Sequence, residues 1–266
     1  MPVAFAAFAA LFAAAIGAQV VRAATGASAS GRGTGVSTAS ANNCTPSPAD
    51  LKKISAIEND PTLSYSDEIR AELTVRKQLL GATLTCAQNE ANALQASLNA
   101  ITPAGGTANL RSQLSSKLDD AANFYNIELT KLDSVGIAGS EAIAREALAY
   151  RTGSYEPLAG EVNNFILWSA NQGLFVTAQA RMDATSRAVS FLLNATPNSG
   201  LQNAFAAAQT SFNNATSQNQ AAENALTQSL PPGQSLLLIQ QSLASLADTY
   251  QQFSNVSSII KTLLPQ

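Results

Sequence analysis

Residues 80–101 read LGATLTCAQNEANALQASLNAI, and the spacing of their apolar side chains decides the fold class. The apolar residues recur in alternating steps of four and three, the repeat that lays one apolar stripe along a long helix. The same steps recur in two later stretches of the chain. The stripes consist of Leu80, Leu84, Ala87, Ala91, Leu94, Leu98 and Ile101; of Leu201, Phe205, Ala208, Phe212, Ala215, Asn219, Ala222 and Leu226; and of Ile239, Leu243, Leu246, Tyr250, Phe253, Ser257, Ile260 and Leu264.

Apolar residues follow a helical periodicity from about residue 48 to the end of the chain, and no segment shows the alternation of apolar and polar residues that is typical of a strand. Short connections between the predicted helices force neighbouring helices to run antiparallel. A helix of about 30 residues is about 45 Å long. The sequence therefore predicts an all-α fold, an elongated up-and-down antiparallel bundle of long coiled-coil-like helices that forms one domain, 48–266. The predicted helices are Pro48–Glu58, Ser66–Ala100, Thr107–Val135, Ser140–Arg151, Tyr155–Asn194, Ser199–Leu230 and Gln234–Leu264.

The N-terminal segment is an uncharged apolar run from Pro2 to Val21, rich in alanine and phenylalanine. Such a run is typical of a secretory signal peptide, although no Lys or Arg precedes it here. We predict a signal peptide over 1–23, cleaved after Ala23, and an exported protein that is periplasmic, at the cell surface or extracellular. The alternative is an uncleaved N-terminal membrane anchor, since about 20 apolar residues are long enough to span a bilayer. Residues 24–47 are rich in Gly, Ser, Thr and Ala and predict a flexible linker.

Charge and composition exclude several classes of function. The net charge is −3, so the basic footprint of a nucleic-acid-binding protein is missing. The chain has no histidine, the commonest metal ligand and the usual acid–base group at neutral pH. Asp67, Glu68 and Glu72 could form a cation site or an acid–base pair, but a helix N-terminus with Ser66 as its cap explains them more simply. We predict a protein that is not an enzyme, without catalytic, cofactor or metal-binding residues.

The two cysteines, Cys44 and Cys86, predict a disulfide, because an exported protein with an even cysteine count usually pairs them. If the first short helix folds back along the next one, both sulfur atoms lie about 30 Å from the connecting turn. Leu51, Ile54 and Ile57 would then cover a second apolar stripe that includes Cys86. The alternative is a pair of unconnected buried thiols.

The predicted helix Tyr155–Asn194 differs from its neighbours, because apolar residues occupy most of its circumference. This pattern predicts a central helix surrounded by others. Gly153 is expected to end the preceding helix, Ser154 to cap this one, and Pro157 to lie in its first turn. Its residues Tyr155, Phe165 and Trp168, with Tyr150, either line a ligand pocket or pack in the core, and core packing is the commoner role of such residues.

Arg151, Tyr155 and Pro157 form an R-x-x-x-Y-x-P pattern ahead of this long apolar helix. The segment, residues 145–195, resembles uncharacterised exported long-helix bundle proteins of small-genome candidate-phylum bacteria. Those proteins carry Trp at the position of Tyr150, and their helix surfaces are rich in Lys and Glu instead of Gln and Ser. The resemblance implies a bacterial envelope protein of similar shape, and it implies no activity.

Charge is distributed unevenly along the chain. Beyond Arg187 the charged residues are Glu223, Asp248 and Lys261, so the last two helices expose mainly Gln, Asn, Ser and Thr. We predict a non-enzymatic envelope or extracellular protein that presents or spaces an interaction surface. Its expected partner is an envelope component, a protein whose identity the sequence leaves open, or a second copy bound through residues 199–264. The alternative is a helical membrane-active or pore-forming protein.

Overall fold

The computed structural model describes residues 44–103 and 106–263. Of these residues 88% are helical, and the described ranges contain no strand, which confirms the all-α fold. The predicted signal peptide, its cleavage after Ala23 and the linker up to residue 43 lie outside the described residues. In chain order the helices are α1 (Pro48–Glu58), α2 (Tyr65–Asn99), α3 (Ala108–Leu132), α4 (Ile137–Tyr150), α5 (Glu156–Ala195), α6 (Ser199–Thr227) and α7 (Pro232–Leu263).

The described chain forms two compact units. Unit 1 consists of residues 44–96 and 114–159, and unit 2 consists of the described residues of 97–113 together with 160–263. Unit 1 therefore holds α1, α4 and most of α2 and α3, while unit 2 holds most of α5 with α6 and α7. The single domain expected for 48–266 stays a prediction.

The core of unit 1 is built on the predicted stripe of α2. Leu80, Leu84, Ala87, Ala91 and Leu94 are all at most 2% exposed, so this part of the heptad prediction is confirmed. Burying a leucine side chain stabilises the fold by about 1.5–3 kcal/mol. Helix α3 runs antiparallel to α2, because Lys77 Nζ donates to the carbonyl of Asp133 and Gln95 Nε2 donates to Ser115 Oγ. The core side chains of α3 and α4 include Leu114, Leu118, Ala121, Tyr125, Ile143, Ala144 and Ala147.

Two helix N-termini are capped by side chains of the residue types that favour this position. Ser47 Oγ accepts from the Asp50 N–H at the start of α1, and Asn198 Oδ1 accepts from the Leu201 N–H at the start of α6. The expected cap of α2 is wrong by two residues. The helix begins at Tyr65, and Ser64, not Ser66, accepts the N–H of Asp67. Ser64 lies one position before the first helical residue, where a side-chain oxygen reaches the free N–H groups.

The expected break between α4 and α5 is wrong. Residues Arg151–Tyr155 form a π-helical turn, so the backbone stays helical past Gly153 and Ser154. The Glu156 N–H donates to the Arg151 carbonyl, five residues back. Pro157 has no N–H to donate, and in a regular helix its ring would press on the carbonyl four residues earlier. A π turn widens the helix by one residue at this point and lets the chain continue.

In unit 2, α5, α6 and α7 form a three-helix arrangement, and the unit also includes the described residues of 97–113 at the end of α2 and the start of α3. Asn164 Nδ2 donates to Ser235 Oγ, and the Arg181 guanidinium lies 5.1 Å from the centroid of the Tyr250 ring, so α5 and α7 run in the same direction. Helix α6 lies between them in the sequence, and short connections join it to both. The larger apolar cluster takes residues from all three helices: Phe175, Ala178, Met182, Ala208, Phe212, Ala215, Leu246 and Phe253.

The expectation that α5 is surrounded by other helices along its length is correct only for its first half. Val162, Phe165 and Trp168 are at most 2% exposed, whereas Val176 is 71% exposed. In a bundle of three helices each member keeps an outward face, however apolar that face is. The apolar residues on the outer side of α5 therefore remain in solvent.

The stripe of α6 is confirmed, and that of α7 is confirmed in part. On α7, Ile239, Leu246 and Phe253 are buried as expected, and Tyr250 and Ile260 are half-buried against the apolar clusters. Ser257 is exposed, so its place in the stripe is wrong. The pattern did not predict the burial of four further residues, each at most 1% exposed: Ser235, Ser242, Thr249 and Val256.

The hydroxyl groups explain how such residues can be buried on α7. Ser242 Oγ donates to the Ile239 carbonyl and Thr249 Oγ1 donates to the Ser245 carbonyl, so neither needs a partner from another helix. Small side chains also let two helices approach closely. Ala208, Ala215 and Ala222 on α6 repeat every seven residues as Ser235, Ser242 and Thr249 do, and an antiparallel pair brings the two small-residue rows together.

Candidate functional site

The two cysteines lie where the sequence predicts them. The sulfur atoms of Cys44 and Cys86 are 2.07 Å apart and the Cα atoms 5.5 Å apart, which confirms the pairing. Cys44 is buried, so the end of the predicted linker is packed against unit 1 and not free. Ile54 of α1 is 2% exposed, which agrees with the expected role of this helix as a cover. The bond closes the loop that contains α1 and the first part of α2.

A buried ion pair lies beside the disulfide. Arg151 Nη1 is 3.2 Å from Glu90 Oε2, and Arg151 Nε is 3.4 Å from Glu156 Oε1. Glu90 Oε2 is also 3.6 Å from Cys44 Sγ. Burial raises the pKa of the Glu90 carboxyl above its usual value, and the positive charge of Arg151 opposes this shift only in part. Arg151 belongs to the π turn, so this turn places its side chain against α2.

Three tyrosines and a phenylalanine form an aromatic cluster next to this ion pair. The rings of Phe124 and Tyr150 are stacked with centroids 3.9 Å apart, and Tyr125 meets both Tyr150 and Tyr155 edge to face. Such pairs contribute about 0.5–1.5 kcal/mol beyond the area that they bury. The hydroxyl groups of Tyr125 and Tyr155 are buried without a hydrogen-bond partner in the described part of the chain. Burial raises the pKa of both phenols, so both stay protonated at neutral pH.

A cavity of about 40 Å³ lies between the disulfide and the aromatic cluster. One water molecule needs roughly 10–15 Å³ of such space, so this cavity is large enough for a few waters. Sites for drug-sized ligands are several times larger. The walls are mainly apolar, with hydroxyl groups from two threonines and one tyrosine and the Arg151 guanidinium as polar members: Cys44, Thr45, Leu80, Thr83, Leu84, Ala87, Tyr125, Ala144, Ala147, Leu148 and Arg151.

The four aromatic residues that the sequence suggested as the lining of one pocket belong to two different units. Tyr150 and Tyr155 belong to the cluster of unit 1. Phe165 and Trp168 belong to unit 2, where their ring centroids are 6.2 Å apart. Trp168 Nε1 is buried without a hydrogen-bond partner in the described structure. The residues that sequence reasoning missed are Glu90, Tyr125 and Phe124, because nothing in their local pattern marks them as neighbours of Arg151.

The acidic residues at the start of α2 serve the helix and its neighbours. Asp67 accepts from Ser64 Oγ at 2.6 Å, and Glu72 Oε1 accepts from Arg76 Nε at 2.6 Å. The side chain of Arg76 is 3% exposed and also contacts Glu141 of α4 at 3.3 Å. Within 44–103 and 106–263, no group of three or more carboxylate or cysteine side chains is arranged to hold a metal ion.

The outward faces of α6 and α7 form the least charged surface of the described chain. Gln209 and Gln220 on α6 and Gln241 on α7 are exposed, whereas Gln252 on α7 is half-buried. Asn219 lies in the stripe of α6 and exchanges two hydrogen bonds with Gln172 of α5, at 3.2 and 3.0 Å. This amide pair sets the register of α5 against α6 inside the chain.

No described helix combines the length and the apolar character needed to cross a membrane. Comparisons with protein-family models, with curated proteins and with solved structures find no match.

Proposed function

We propose that this chain is an exported, non-enzymatic helical protein of the bacterial envelope or extracellular space. It presents an interaction surface on α6 and α7, through which copies of the chain, or another envelope component, associate. The observation that carries the proposal is the composition of these outward faces. Their exposed side chains are mainly Gln, Asn, Ser and Thr, and Glu223, Asp248 and Lys261 are the charged residues of the two helices.

Removing water from this surface costs little free energy, because it carries few charged groups. Burying a charge in an interface costs far more than burying an amide that finds a hydrogen-bond partner there. Gln and Asn side chains each carry both donor and acceptor groups, so two such surfaces can satisfy one another. Net charge keeps proteins apart in solution, and this surface carries little. Association through the α6 and α7 faces therefore costs less desolvation free energy and meets less charge repulsion than association through the charged surface of unit 1.

Export is supported by the cysteine pair. Disulfides persist in oxidising compartments and are rare in the cytoplasm. The sulfur atoms of Cys44 and Cys86 lie at bonding distance. The resemblance of residues 145–195 to exported helical proteins points the same way and stays part of the proposal. N-terminal sequencing of the exported material should begin near Ala24, and an intact Met1 on a membrane-bound product would favour the anchor instead.

The proposed surface on α6 and α7 is tested by a variant with two new acidic and two new basic side chains, so that its net charge equals that of the wild type. Gln209→Glu, Gln220→Lys, Gln241→Glu and Gln251→Lys alter exposed side chains of α6 and α7. Light scattering across a range of concentrations should show association of the wild type and its loss in this variant. The matched control carries Gln78→Glu, Asn89→Lys, Asn123→Glu and Asn126→Lys on exposed positions of unit 1 and should associate as the wild type does.

Three outcomes would contradict the proposal. The first is a wild type that binds neither itself nor an envelope extract, and the second is a variant that binds as well as the wild type. The third is leakage of dye from phospholipid vesicles by the wild type, which would favour a membrane-active protein.

A further inference from the structure

The two sulfur atoms of the disulfide differ in their access to solvent. Cys44 is 5% exposed and packs in the core of unit 1. Cys86 is half-buried, and three of its neighbours on α2 are exposed: Ala82, Thr85 and Asn89. Exchange of a disulfide begins when a thiolate attacks one of its sulfur atoms, and access decides which atom is attacked. An external thiol therefore has access to Cys86, and Cys44 is the sulfur atom that leaves.

A buried carboxylate lies beside the leaving sulfur atom. Glu90 Oε2 is 3.6 Å from Cys44 Sγ, and Glu90 is 8% exposed. In the disulfide Cys44 Sγ carries no hydrogen, so this distance is a contact and not a hydrogen bond. A reduced Cys44 carries a proton, and Glu90 Oε2 is then an acceptor within reach of the S–H group. The two groups can therefore exchange this proton without solvent.

The surroundings of Cys44 allow the bond to open inside the folded chain. Two sulfur atoms that are no longer bonded need more space than the disulfide occupies. Cys44 lines the cavity of about 40 Å³, so its sulfur atom can move without displacing other core side chains. Ile54 is 2% exposed, so α1 stays packed against the rest of unit 1 when the bond is open. The Cys44 side chain therefore stays near Glu90.

The titratable side chains that face Glu90 lie on the π turn, α3 and α5. Arg151 of the π turn pairs with Glu90 at 3.2 Å, and Glu156 at the start of α5 adds a second negative charge nearby. Tyr125 of α3 and Tyr155 of the π turn are neutral at neutral pH, because burial raises the pKa of both phenols. Burial also raises the pKa of the Glu90 carboxyl, and Arg151 opposes this shift in part. This carboxylate is therefore a stronger base than that of an exposed glutamate.

We propose that the Cys44–Cys86 pair is a thiol–disulfide exchange site in which Glu90 accepts the proton of the Cys44 thiol as the bond closes and returns it as the bond opens. The exchange partner is a low-molecular-weight or protein thiol on opening, and a disulfide of the same class on closing. The site lies in unit 1 and involves neither α6 nor α7, so the inference does not rest on the proposed function.

The closing reaction has two steps. In the first, the Cys86 thiolate attacks an external disulfide R–S–S–R, which forms a mixed disulfide on Cys86 and releases RS⁻. In the second, Cys44 transfers its proton to the Glu90 carboxylate, and the Cys44 thiolate attacks the Cys86 sulfur atom. The Cys44–Cys86 bond forms, the bond to R breaks and the second RS⁻ leaves. Two protein thiols are oxidised, one R–S–S–R is reduced, and the proton on Glu90 passes to solvent. Opening follows the reverse path.

Sharing of one proton gives the second step a distinctive dependence on pH. Between the pKa of the carboxyl and that of the thiol, Cys44 and Glu90 together hold one proton. The fraction present as thiolate with a protonated carboxyl is then constant, and repulsion at 3.6 Å keeps the doubly ionised pair rare. The closing rate of the wild type should therefore change little with pH over this range. In Glu90→Gln the Cys44 proton passes to solvent, so the rate should fall about tenfold for each pH unit below the thiol pKa.

The first experiment uses an aromatic disulfide, dithiobis(nitrobenzoic acid), whose released thiolate is coloured. The reduced full chain reacts with one equivalent, and the second, concentration-independent release of thiolate measures closing. For Glu90→Gln, closing at about pH 8 should be roughly 100-fold faster than at about pH 6. For the wild type this ratio should be at least about fivefold smaller.

Glu128→Gln is the matched control for this experiment. Glu128 is also a buried glutamate of unit 1 in an ion pair, with Lys131, and it does not line the cavity beside Cys44. This variant should keep the pH profile of the wild type. A profile like that of Glu90→Gln would show that loss of any buried ion pair changes closing, and would overturn the proposal.

Arg151→Gln breaks the same ion pair as Glu90→Gln but keeps the carboxyl group. Loss of the positive charge raises the pKa of Glu90 further, so the range of nearly constant rate should remain and should begin at higher pH. Circular dichroism shows whether each variant is folded. If Glu90→Gln does not fold, the profile of Arg151→Gln decides, and a slope of about tenfold per pH unit over the whole range would contradict the role of the carboxyl.

The second experiment tests entry at Cys86. Cys44→Ser and Cys86→Ser each leave one thiol. The Cys86 thiol of the first variant should react with the aromatic disulfide at least about tenfold faster than the Cys44 thiol of the second, because Cys44 is buried. Equal rates would show that exchange does not enter through Cys86.

Three further results would overturn the proposal. The first is a reduced wild type that gives no second release of thiolate, because Cys44 then does not reach Cys86 in the folded chain. The second is a wild-type closing rate that falls about tenfold per pH unit, as expected without an internal base. The third is a Glu90→Gln variant with the pH profile of the wild type.

Discussion

At the scale of single residues, the bond between Cys44 and Cys86 makes a large contribution to stability. The bond closes a loop of 42 residues in sequence separation. In the chain-entropy model a loop of this size restricts the unfolded chain by about 4 kcal/mol.

We expect Cys44→Ser with Cys86→Ser to lower the free energy of unfolding by about 3–4 kcal/mol without abolishing folding. The α2 stripe from Leu80 to Leu94 does not depend on the bond, so the core can still form. Urea unfolding followed by circular dichroism measures the difference. An unchanged unfolding midpoint, or a variant that does not fold, would contradict this expectation.

The buried carboxyl of Glu90 gives the protein a specific dependence on pH. Its pKa is raised in the folded state, chiefly by burial, so the folded chain binds this proton more readily than the unfolded chain does. The contribution of this proton to stability is therefore present at low pH and is lost as pH rises through the folded pKa.

We predict that the unfolding free energy of the wild type rises relative to that of Glu90→Gln as pH falls from about 7 to about 4.5. Urea titrations of both proteins at several pH values give this difference. A difference that falls with decreasing pH would show that Arg151 lowers the pKa more than burial raises it.

At the scale of secondary-structure elements, the end of α6 is a well-formed Schellman motif with one unfavourable residue. The Leu230 N–H donates to the Ala225 carbonyl and the Ser229 N–H donates to the Leu226 carbonyl. Ser229 has a φ of 49°, in the left-handed region that costs a residue with a Cβ about 1–2 kcal/mol. Glycine adopts this conformation without that cost.

Ser229→Gly is expected to raise the free energy of unfolding by up to about 0.5 kcal/mol, because relief of the left-handed conformation outweighs both the greater flexibility of glycine in the unfolded chain and the loss of the exposed hydrogen bond that Ser229 Oγ donates to Glu161. Ser217→Gly is the matched control, because Ser217 is exposed in the middle of α6. It should lower the stability by up to about 1 kcal/mol. Thermal unfolding of the two variants should give shifts of opposite sign, and equal shifts would contradict the prediction.

At the scale of the whole molecule, the disulfide belongs to one unit alone. Both cysteines lie in unit 1, while the small-residue rows of α6 and α7 lie in unit 2. Reduction should therefore affect the two units differently.

We predict that reduction increases amide hydrogen exchange in α1 and in the adjoining first half of α2, and leaves exchange in Ala208–Ala222 unchanged. Local stability varies across a structure, and exchange resolves it segment by segment. Mass spectrometry of peptides from the oxidised and reduced protein measures both regions in one experiment. An equal increase in both regions would show that the bond stabilises the two units together.

The sequence alone determined which residues are helical and which side chains most of the helices bury. The stripes of α2 and α6 follow from steps of three and four, because a helix turns about 100° per residue and this geometry is local. The pairing of Cys44 with Cys86 also follows from local rules, since helix rise and chain length place the two sulfur atoms at one height. The exported location and the interaction surface stay predictions.

Only the tertiary structure decided what each helix face meets. The apolar pattern of one helix does not identify the helix that it packs against. The sequence therefore did not predict that Glu90 and Tyr125 lie close to Arg151, nor that Ser242 and Thr249 are buried. The π turn was decided in the same way. The chain can end a helix before Pro157 or widen it, and the contacts of Tyr155 with Tyr125 and of Arg151 with Glu90 accompany the wider turn. The outer face of α5 stayed exposed because three helices can bury only the side of each that faces the other two.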